Sequence, residues 1–427
     1  MAGILNVMVV DDTITYRMIM KKVAESIPGI RVTSTVSNGR LALDKIIAQM
    51  TGNDPERPDL VLLDVEMPVM DGLTTLKEIR KKYPQITVVM VSALSRSNAN
   101  IIVECLNAGA LDFITKPLES NVERAKTSLR STLEPILALL DQDSASGAAT
   151  PAVSPVRPSP VRPSPLVVSA PTPPPRIITP PVPLVMPTPP PARSFTSTRP
   201  TPTSDIVSPA HQEEMPHPVT PSRGMNDSRH PPRPDLLLIG SSTGGPAALT
   251  RIFSSLTEKL HIPTLIVQHM PPVFTTSLAA QLSRTSGLPV KEARDEQTLL
   301  PGSVTLAMGG RHMTLQNRDG TLKLILNDGP KVNECRPAVD VLFMSVVASF
   351  TGNILSVILT GMGRDGTNGV DALKRVGRTW CITQDKNSCV VYGMPRSVDE
   401  KGLSDESLPL DAIGPRIIQL CNQPVAR

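Results

Sequence analysis

The stretch LNVMVVDD, Leu5–Asp12, is an apolar run that ends in two adjacent carboxylates, and it decides the fold of the first part of the chain. Similar runs recur at short intervals, and amphipathic stretches of helical period separate them. The further strands are predicted at Arg31–Val36, Leu60–Asp64, Thr87–Val91 and Asp112–Thr115, with helices including Ile14–Ser26 and Leu73–Lys82. Five strand–helix units within about 140 residues predict an α/β fold with a doubly wound, five-stranded parallel sheet. Ligands of such sheets bind outside the carboxyl ends of the strands.

The composition limits the class of protein. The chain has 427 residues, of which only 2% are aromatic, so its cores must be built from aliphatic side chains, as in buried parallel sheets. Its five cysteines form no CxxC pair, which argues against a disulfide framework or a zinc site and fits a reducing compartment. The sequence has no signal-peptide pattern and no apolar run long enough for a membrane span. We therefore expect a cytoplasmic protein without direct membrane insertion.

Residues 145–234 stand apart in composition and mark a boundary between two domains, expected at 1–144 and 235–427. From Pro151 to Pro234 the chain holds 26 of its 45 prolines, including the repeat VRPSP-VRPSP. Proline fixes φ and removes a backbone donor, so we expect a disordered, extended linker; a docking site for a proline-binding domain is the alternative. Residues 145–234 also contain eight arginines, no lysines and four acids, which accounts for the whole net charge of +4. The two domains together are neutral, and nucleic acid is not expected as a partner.

The alternation of strands and helices resumes after residue 234. Strands are predicted at Leu236–Ile239, Thr264–Gln268, Val304–Met308, Leu322–Leu326 and Ile354–Thr360, and helices at Ala247–Lys259, Thr275–Ser286, Val339–Phe350 and Gly369–Val376. This pattern predicts a second, Rossmann-like α/β domain.

Polar side chains stand where the N-terminal strands end. Asp11 and Asp12 close the first strand, Asp64 the third and Ser92 the fourth, and Lys116 follows the fifth. Since the carboxyl ends of parallel strands meet at one edge, three carboxylates would share a pocket with a hydroxyl and an ammonium group. Oxygen ligands of this kind suit Mg²⁺, and a carboxylate beside the metal can accept a phosphoryl group. Helix capping would explain a single aspartate but not the whole set.

A glycine-rich turn, GSSTGGP at Gly240–Pro246, follows the first C-terminal strand directly and opens a helix. It contains a G-x-S-x-G pattern, which exposes the hydroxyl of Ser242 on a sharp strand-to-helix turn. A turn of this kind can also bind a phosphate at the helix N-terminus. It lacks the lysine of a P-loop and the third glycine of a dinucleotide fingerprint. Ser241 is the neighbour most easily confused with the nucleophile, and the register favours Ser242.

A serine nucleophile needs a base and an orienting acid. His269 ends the strand Thr264–Gln268, and Asp365 lies in a second glycine-rich turn after the strand Ile354–Thr360. His312 is the other histidine considered, and His269 is the better candidate, because it ends a strand of the next unit along and so faces the same crevice. The order Ser…His…Asp differs from the Ser…Asp…His order of α/β-hydrolases, so a triad here belongs to another fold.

The segments VVDD, LLDVEMPVMDG, VSA and TKP resemble those of response-regulator receiver domains, across roughly Leu5–Leu140. The resemblance implies a flavodoxin-like fold in which Asp64 is the phospho-acceptor. It also implies an Mg²⁺ site of Asp11, Asp12, Asp64 and the backbone carbonyl of Glu66. Ser92 and Lys116 would bind the phosphoryl group and relay the switch, and the Lys116–Pro117 peptide is expected to be cis.

The segments IGSSTGGP, VQHMPP, LTGMGRDG and VVYGMP resemble the chemotaxis protein-glutamate methylesterase family, which joins a receiver to this type of domain in this order. By that resemblance Ser242 is the nucleophile, His269 the base and Asp365 its orienter. The Met362 amide would contribute to the oxyanion hole, with Thr243 as a nearby hydrogen-bonding group, and the esterase would need no cofactor.

The resemblance implies hydrolysis of glutamate γ-methyl esters on chemoreceptors, with release of methanol, and deamidation of receptor glutamines. It also implies a chemotaxis histidine kinase as phosphodonor, and activation by phosphorylation of a receiver that otherwise covers the crevice. Two other functions of the C-terminal domain are alternatives to ester hydrolysis. A DNA-binding output would need a basic recognition helix, which the α/β pattern after Pro234 lacks. A nucleotide-binding output at Gly240–Pro246 is the second alternative, and it should survive loss of the Ser242 hydroxyl.

Overall fold

The structure is a computed structural model, and it describes residues 4–52, 54–116, 126–127, 130, 133–134, 231–256 and 260–422. The predicted linker therefore lies almost wholly outside the described residues, and so does Pro117 of the expected cis peptide.

The N-terminal domain has the predicted five-stranded parallel sheet, with strand order β2-β1-β3-β4-β5. Its strands are β1 (Leu5–Val10), β2 (Ile30–Val36), β3 (Leu60–Asp64), β4 (Thr87–Ser92) and β5 (Asp112–Thr115), and its helices are α1 (Ile14–Glu25), α2 (Gly39–Thr51), α3 (Gly72–Lys82) and α4 (Arg96–Asn107). Strands β1 and β3 are buried along their whole length, because helices cover both faces of the sheet. The predicted elements agree with these to within one residue at each end.

The C-terminal domain is built on a seven-stranded sheet of order β15-β14-β13-β6-β7-β10-β8, with a separate three-stranded sheet of order β11-β12-β9. The main strands are β6 (Leu236–Ser241), β7 (Thr264–Gln268), β8 (Val290–Glu292), β10 (Val304–Leu306), β13 (Ile354–Ile358), β14 (Thr379–Gln384) and β15 (Glu406–Leu408). The smaller sheet contains β9 (Gln297–Thr298), β11 (His312–Arg318) and β12 (Thr321–Asn327). The helices are α5 (Gly245–Ser255), α6 (Phe274–Ser286), α7 (Val339–Ser349), α8 (Thr367–Arg375), α9 (Met394–Glu400) and α10 (Leu410–Cys421). The second α/β domain is thus confirmed.

The predicted boundaries of several elements in this domain were wrong, and the backbone explains why one helix begins earlier than predicted. The helix expected at Ala247–Lys259 begins two residues earlier and ends at Ser255. It begins early because Pro246, which has no amide hydrogen to satisfy, fits the first helical turn. Strands β10 and β13 end two residues sooner than predicted, since the chain there turns into the loops that carry polar groups.

Strand β6 lies at the centre of the larger sheet, between β13 and β7. Ile239 pairs in register with Val357 on one side and Ile266 on the other, and all three side chains are fully buried. Both flanking strands run parallel to β6, so the three carboxyl ends reach the same edge of the sheet.

No helix in the described part of the chain is both long and apolar enough to cross a lipid bilayer.

The turn after β6 depends on glycine. Gly244 has φ +77° at the start of α5, and a Cβ there would lie 2.6 Å from Cβ of Val390. Gly377 has almost the same φ, +76°, but no atom within 4 Å of an added Cβ. Substitutions at the two positions therefore separate the effect of backbone strain, which both share, from the effect of steric overlap, which only Gly244 has.

We expect Gly377→Ala to lower the free energy of unfolding by about 1–2 kcal/mol, the cost of the left-handed conformation. Gly244→Ala should cost roughly 1–3 kcal/mol more, because Val390 must also move. Urea unfolding of the full chain measures both values. Equal losses would contradict the importance of close packing at this turn.

Candidate functional site

The N-terminal candidate site is a cluster of carboxylates at the carboxyl edge of the sheet. Ligand oxygens of Asp11, Asp12 and Asp64 all lie within 4.8 Å of one another. Nζ of Lys116 lies 2.8 Å from Oδ2 of Asp11 and 2.7 Å from Oδ2 of Asp64. The structure thus brings together the acidic set and the lysine that the sequence predicted to meet.

Burial controls the charge state of this cluster. It raises the pKa of Asp64 to about 6, despite the opposing hydrogen bond and charge of Lys116. Burial also opposes the charge of Lys116, but the two aspartates outweigh it and raise the pKa of the lysine. The charge of Asp64, the acid that could accept a phosphoryl group, is therefore opposed by burial and supported by Lys116.

The same pocket has the residues that a magnesium ion would need. Asp12 is exposed, and it lines a cavity of about 510 Å³ together with Glu66 and Met67. Three carboxylates this close to one another repel, and a divalent cation with oxygen ligands would relieve that repulsion. Ser92 is fully buried, and its hydroxyl donates to the backbone oxygen of Ala93 at 3.1 Å.

The C-terminal candidate site begins at the turn after β6, where the two serines have different environments. Ser241 is fully buried and donates to Oε1 of Gln268 at 2.6 Å. Nε2 of Gln268 in turn donates to the backbone oxygen of Ser242 at 2.9 Å. Ser242 is partly exposed, so its hydroxyl rather than that of Ser241 is open to a substrate.

His269 and Asp365 form a hydrogen-bonded pair beside this turn. Nε2 of His269 lies 2.7 Å from Oδ2 of Asp365, although 96 residues separate them in the chain. They meet because β7 and β13 flank β6 and end at the same edge of the sheet. His312, the other histidine considered, is buried elsewhere: its Nε2 faces the backbone oxygen of Pro330 at 2.9 Å, and its Nδ1 accepts from the amide of Ala338.

Asp365 is held at the N-terminus of α7. The amides of Val339 and Asp340 donate to its two oxygens at 2.6 and 3.0 Å, and the Gly366 amide donates to Oδ1 at 3.1 Å. The positive end of the helix dipole adds to these bonds. Burial opposes the charge of Asp365, yet the bond to His269 and these amides keep its pKa below the usual range.

The pKa of His269 is raised. Burial opposes the charged imidazolium, but hydrogen bonds to Asp365 and then to Cys335 raise the pKa to about 9. The neutral ring, which is the form that can accept a proton, is therefore the minor form at neutral pH.

Sequence reasoning missed three residues of this site, two of which lie just before α7 and one in its first turn. Nδ2 of Asn333 donates both to Oδ1 of Asp365 at 2.9 Å and to Oδ2 of Asp340 at 3.0 Å. Sγ of Cys335 lies 3.3 Å from Nδ1 of His269. The segment Pro337–Asp340 reads Pro-Ala-Val-Asp where the family that the sequence resembles has Pro-Ser-Val-Asp, but nothing in the sequence linked this segment to Asp365.

The two groups predicted around the oxyanion differ in what surrounds them. Met362 is partly buried and follows Gly361, where an added Cβ would lie 2.7 Å from Cβ of Ser242. The loop after β13 is therefore in close contact with the nucleophile turn. Thr243 is buried, and its hydroxyl donates to Oδ2 of Asp112 at 2.6 Å, so its partner comes from the N-terminal domain.

That hydrogen bond belongs to a wider contact between the two α/β domains. Phe113 and Phe274 stack with ring centroids 4.5 Å apart, and α4 packs against α5 and α6. Burial raises the pKa of Asp112, while Thr243 and the Phe113 amide stabilise its charge. Thr243, the residue next to Ser242, is thus hydrogen-bonded to β5, the strand that Lys116 directly follows.

Comparison with known proteins gives the family. A model of the CheB methylesterase matches residues 237–417, and a model of the response regulator receiver domain matches residues 7–127. A protein-glutamate methylesterase/protein-glutamine glutaminase of Desulfotalea psychrophila is 36% identical over 97% of this chain and 98% of its own length. The chain belongs to the CheB methylesterase family. A relative of the same name in Thermotoga maritima is 33% identical, with 98% of both chains covered.

The crystal structure of the CheB methylesterase catalytic domain of Thermotoga maritima is 43% identical, and it covers 44% of this chain and 98% of its own, with a TM-score of 0.42. The two family models and the named relatives show that the chain is an enzyme that consists of a receiver domain and a CheB methylesterase domain.

The raised pKa of His269 predicts a pH dependence. Ester hydrolysis that uses the neutral ring should rise with pH, and its acid limb in kcat/KM should lie near pH 9. Asp365→Asn removes the negative charge that helps to raise this pKa, so the limb should move to lower pH. The limiting rate should also fall by about 10⁴, as for other triad aspartates. Methanol release measured between pH 5 and about 10 gives both profiles. An acid limb at the same pH in Asp365→Asn as in the wild type would contradict this interpretation.

Proposed function

We propose that the chain hydrolyses glutamate γ-methyl esters of methyl-accepting chemotaxis receptors and deamidates receptor glutamines, under the control of phosphorylation at Asp64. The observation that carries the proposal is the hydrogen bond between His269 and Asp365 beside the partly exposed Ser242. The names of the relatives that match almost the whole chain, protein-glutamate methylesterase/protein-glutamine glutaminase, support the substrate class. The expected domain limits of 1–144 and 235–427 are part of the proposal.

Ser242 is the nucleophile in the proposed reaction. Its hydroxyl attacks the ester carbonyl carbon while His269 takes its proton, and a tetrahedral oxyanion forms. The same proton then passes to the methoxy oxygen, and methanol leaves. Water, deprotonated by His269, attacks the acyl-enzyme, and the glutamate carboxylate is restored as Ser242 recovers its proton. With a glutamine substrate, ammonia leaves in place of methanol.

Backbone amides at two glycine-rich turns would stabilise the oxyanion. The amide of Met362 is the proposed donor, since its loop packs against Ser242. Loss of one such donor typically costs about 10²–10³ in rate. Thr243 would assist only after its hydroxyl leaves Asp112.

The proposed regulation runs through β5. Asp112 begins this strand and Lys116 directly follows it, about 13 Å away for extended backbone. One end contacts Thr243 beside the nucleophile, and the other contacts Asp64. A phosphoryl group on Asp64 adds about −1.5 to −2 charges and draws Lys116 and Ser92 into new bonds. The strand moves, and the contact that covers the catalytic turn weakens.

Magnesium and a histidine kinase would complete the receiver's chemistry. Asp11, Asp12, Asp64 and the Glu66 carbonyl would hold the ion, which would neutralise charge during transfer from the kinase. A cytoplasmic location is part of the proposal, because the methyl esters of the proposed substrate are on the cytoplasmic helices of the receptors. No cofactor is assigned to the esterase.

The esterase proposal is tested with methylated receptor membranes. Ser242→Ala should lose nearly all methanol release, whereas Ser241→Ala, which changes the buried neighbour, should keep a readily measured rate. Asp64→Asn should keep the basal rate but no longer respond to a phosphodonor and Mg²⁺. A nucleotide-binding output would leave ligand binding intact in Ser242→Ala, and equal methanol release by Ser242→Ala and wild type would exclude the esterase.

The regulatory proposal is tested at Asp112 without a phosphodonor. Asp112→Ala leaves the buried Thr243 hydroxyl without its partner, so the basal rate should rise roughly 10-fold or more. Asp112→Asn keeps shape and hydrogen bonding but removes a charge that burial disfavours. Its basal rate should equal that of the wild type or fall below it.

A rise in both Asp112 variants, or in neither, would contradict a covering role for this contact. With saturating phosphodonor, Asp112→Ala and wild type should reach the same rate, which serves as the control for intact catalysis.

A further inference from the structure

Two buried carboxylates lie at the N-terminus of α7, and one surface side chain bonds to both of them. Asp365 and Asp340 are 1% and 2% exposed, whereas Asn333, which precedes the helix, is exposed. Nδ2 of Asn333 donates to Oδ1 of Asp365 at 2.9 Å and to Oδ2 of Asp340 at 3.0 Å. Ionised carboxylates only accept hydrogen bonds, so the atom that meets both of them must be the amide nitrogen, which has one hydrogen for each.

The carboxylate of Asp365 needs bonds at both oxygens to keep one orientation. The torsion about the Cβ–Cγ bond of an aspartate has broad minima, so the side-chain conformation alone does not fix how the carboxylate is turned. Oδ2 faces Nε2 of His269 at 2.7 Å. Oδ1 accepts from two backbone amides at 3.0 and 3.1 Å and from Asn333 at 2.9 Å. Asn333 is the only side chain among these three donors to Oδ1, so it is the donor that a substitution can remove.

Asn333 also reduces the repulsion between the two acids without adding a charge. Burial raises the pKa of Asp340, and the nearby charge of Asp365 raises it further, while the hydrogen bond from Asn333 opposes the rise. A lysine or arginine in this place would neutralise Asp365 and so weaken its support for the charged ring of His269. A neutral amide holds the carboxylate and leaves its charge to the histidine.

The backbone of the turn at 332–335 fixes where the amide lies. Val332 and Cys335 exchange hydrogen bonds, the amide of each donating to the carbonyl of the other, at 3.1 and 2.9 Å. The two residues between them have left-handed φ, +50° at Asn333 and +62° at Glu334. Asparagine and aspartate adopt this conformation more readily than most residues other than glycine. Asparagine therefore suits both the backbone of this turn and the two acids.

We propose that Asn333 is a positioning residue for ester hydrolysis, whose amide holds Asp365 in the orientation that its bond to His269 needs. Asp340 anchors the same amide from the other side. In this role Asn333 acts on the reaction only through Asp365. The inference rests on the proposed roles of Ser242 and its two triad partners.

Two glycine variants in the turn separate the amide from the backbone. Asn333→Gly keeps the left-handed conformation and removes the amide. Its kcat should fall about 10- to 100-fold, the change that loss of one hydrogen bond to a charged group gives, and its KM should stay the same. Glu334→Gly places the glycine at the next, exposed residue and leaves the amide of Asn333 in place, so its kcat should match the wild type.

Asn333→Asp keeps the shape of the side chain and a residue type that tolerates the backbone, but it replaces the donor by a third carboxyl group. The ionised carboxyl repels Asp365, whereas the protonated form has a hydrogen to donate. The two neighbouring acids raise the pKa of the introduced carboxyl. The ratio of kcat in Asn333→Asp to kcat in the wild type should therefore rise as the pH is lowered. A role in packing alone would leave this ratio independent of pH, and that result would overturn the proposal.

The measurement is methanol release from methylated receptor membranes by the full chain with a phosphodonor and Mg²⁺. Three results for the glycine variants would overturn the proposal: an unchanged kcat in Asn333→Gly, an equal fall in Glu334→Gly, or a raised KM alone in Asn333→Gly. If Asn333→Gly does not fold, the pH dependence of Asn333→Asp decides alone. Equal rates for wild type and Ser242→Ala would show instead that the proposed function is wrong.

The proton on Nε2 of His269 provides a readout that does not depend on turnover. Both ring nitrogens carry a hydrogen in the charged ring, and the one on Nε2 lies in the bond to Asp365. Its NMR signal is identified by its loss in His269→Gln. The chemical shift of this proton should change in Asn333→Gly and stay at the wild-type value in Glu334→Gly. The same shift in wild type and Asn333→Gly would mean that the amide does not position Asp365.

Discussion

The parallel pairing of β13, β6 and β7 is the constraint on which the rest of the C-terminal domain depends. Each of the three strands is buried, and each delivers one candidate group to a loop just past its carboxyl end. Hydrophobic burial thus fixes the position of polar chemistry, because a strand that slipped by one residue would carry each apolar side chain to the other face of the sheet and out of its packing. The core places the strand ends, and hydrogen bonds then hold Asp365 and His269 in position.

Much of this arrangement could be predicted from the sequence. Asp64 and Lys116 lie at the ends of strands that recurring apolar runs in the sequence reveal. His269 follows the strand next to the one that leads to the turn with Ser242. Strands β6 and β7 are parallel and adjacent, and β3 and β5 run parallel with β4 between them, so the convergence followed from topology alone. The same reasoning separated His269 from His312, whose ring is enclosed by backbone groups.

The rest could not be predicted, for identifiable reasons. The turn at Asn333 brings an amide to Asp365 from 32 residues away, through backbone conformations that no apolar pattern encodes. The role of Thr243 was assigned within its own domain, whereas its hydroxyl meets Asp112 from 131 residues away. Contacts between domains depend on surface shape and on side-chain partners, and neither leaves a periodic signal in the chain. Helix ends were misplaced where a proline or a glycine, not the apolar period, determined the boundary.

Under the proposed function, the bond between Thr243 and Asp112 would also relate receptor binding to the state of the receiver. If a docked receiver and a bound substrate exclude each other at the turn beside Ser242, each must weaken the other by the same factor. A membrane crowded with methylated receptors would then favour the undocked receiver even before any phosphate is added. The substrate would in that sense act as an effector of its own demethylation, and the enzyme would respond to receptor density as well as to the kinase.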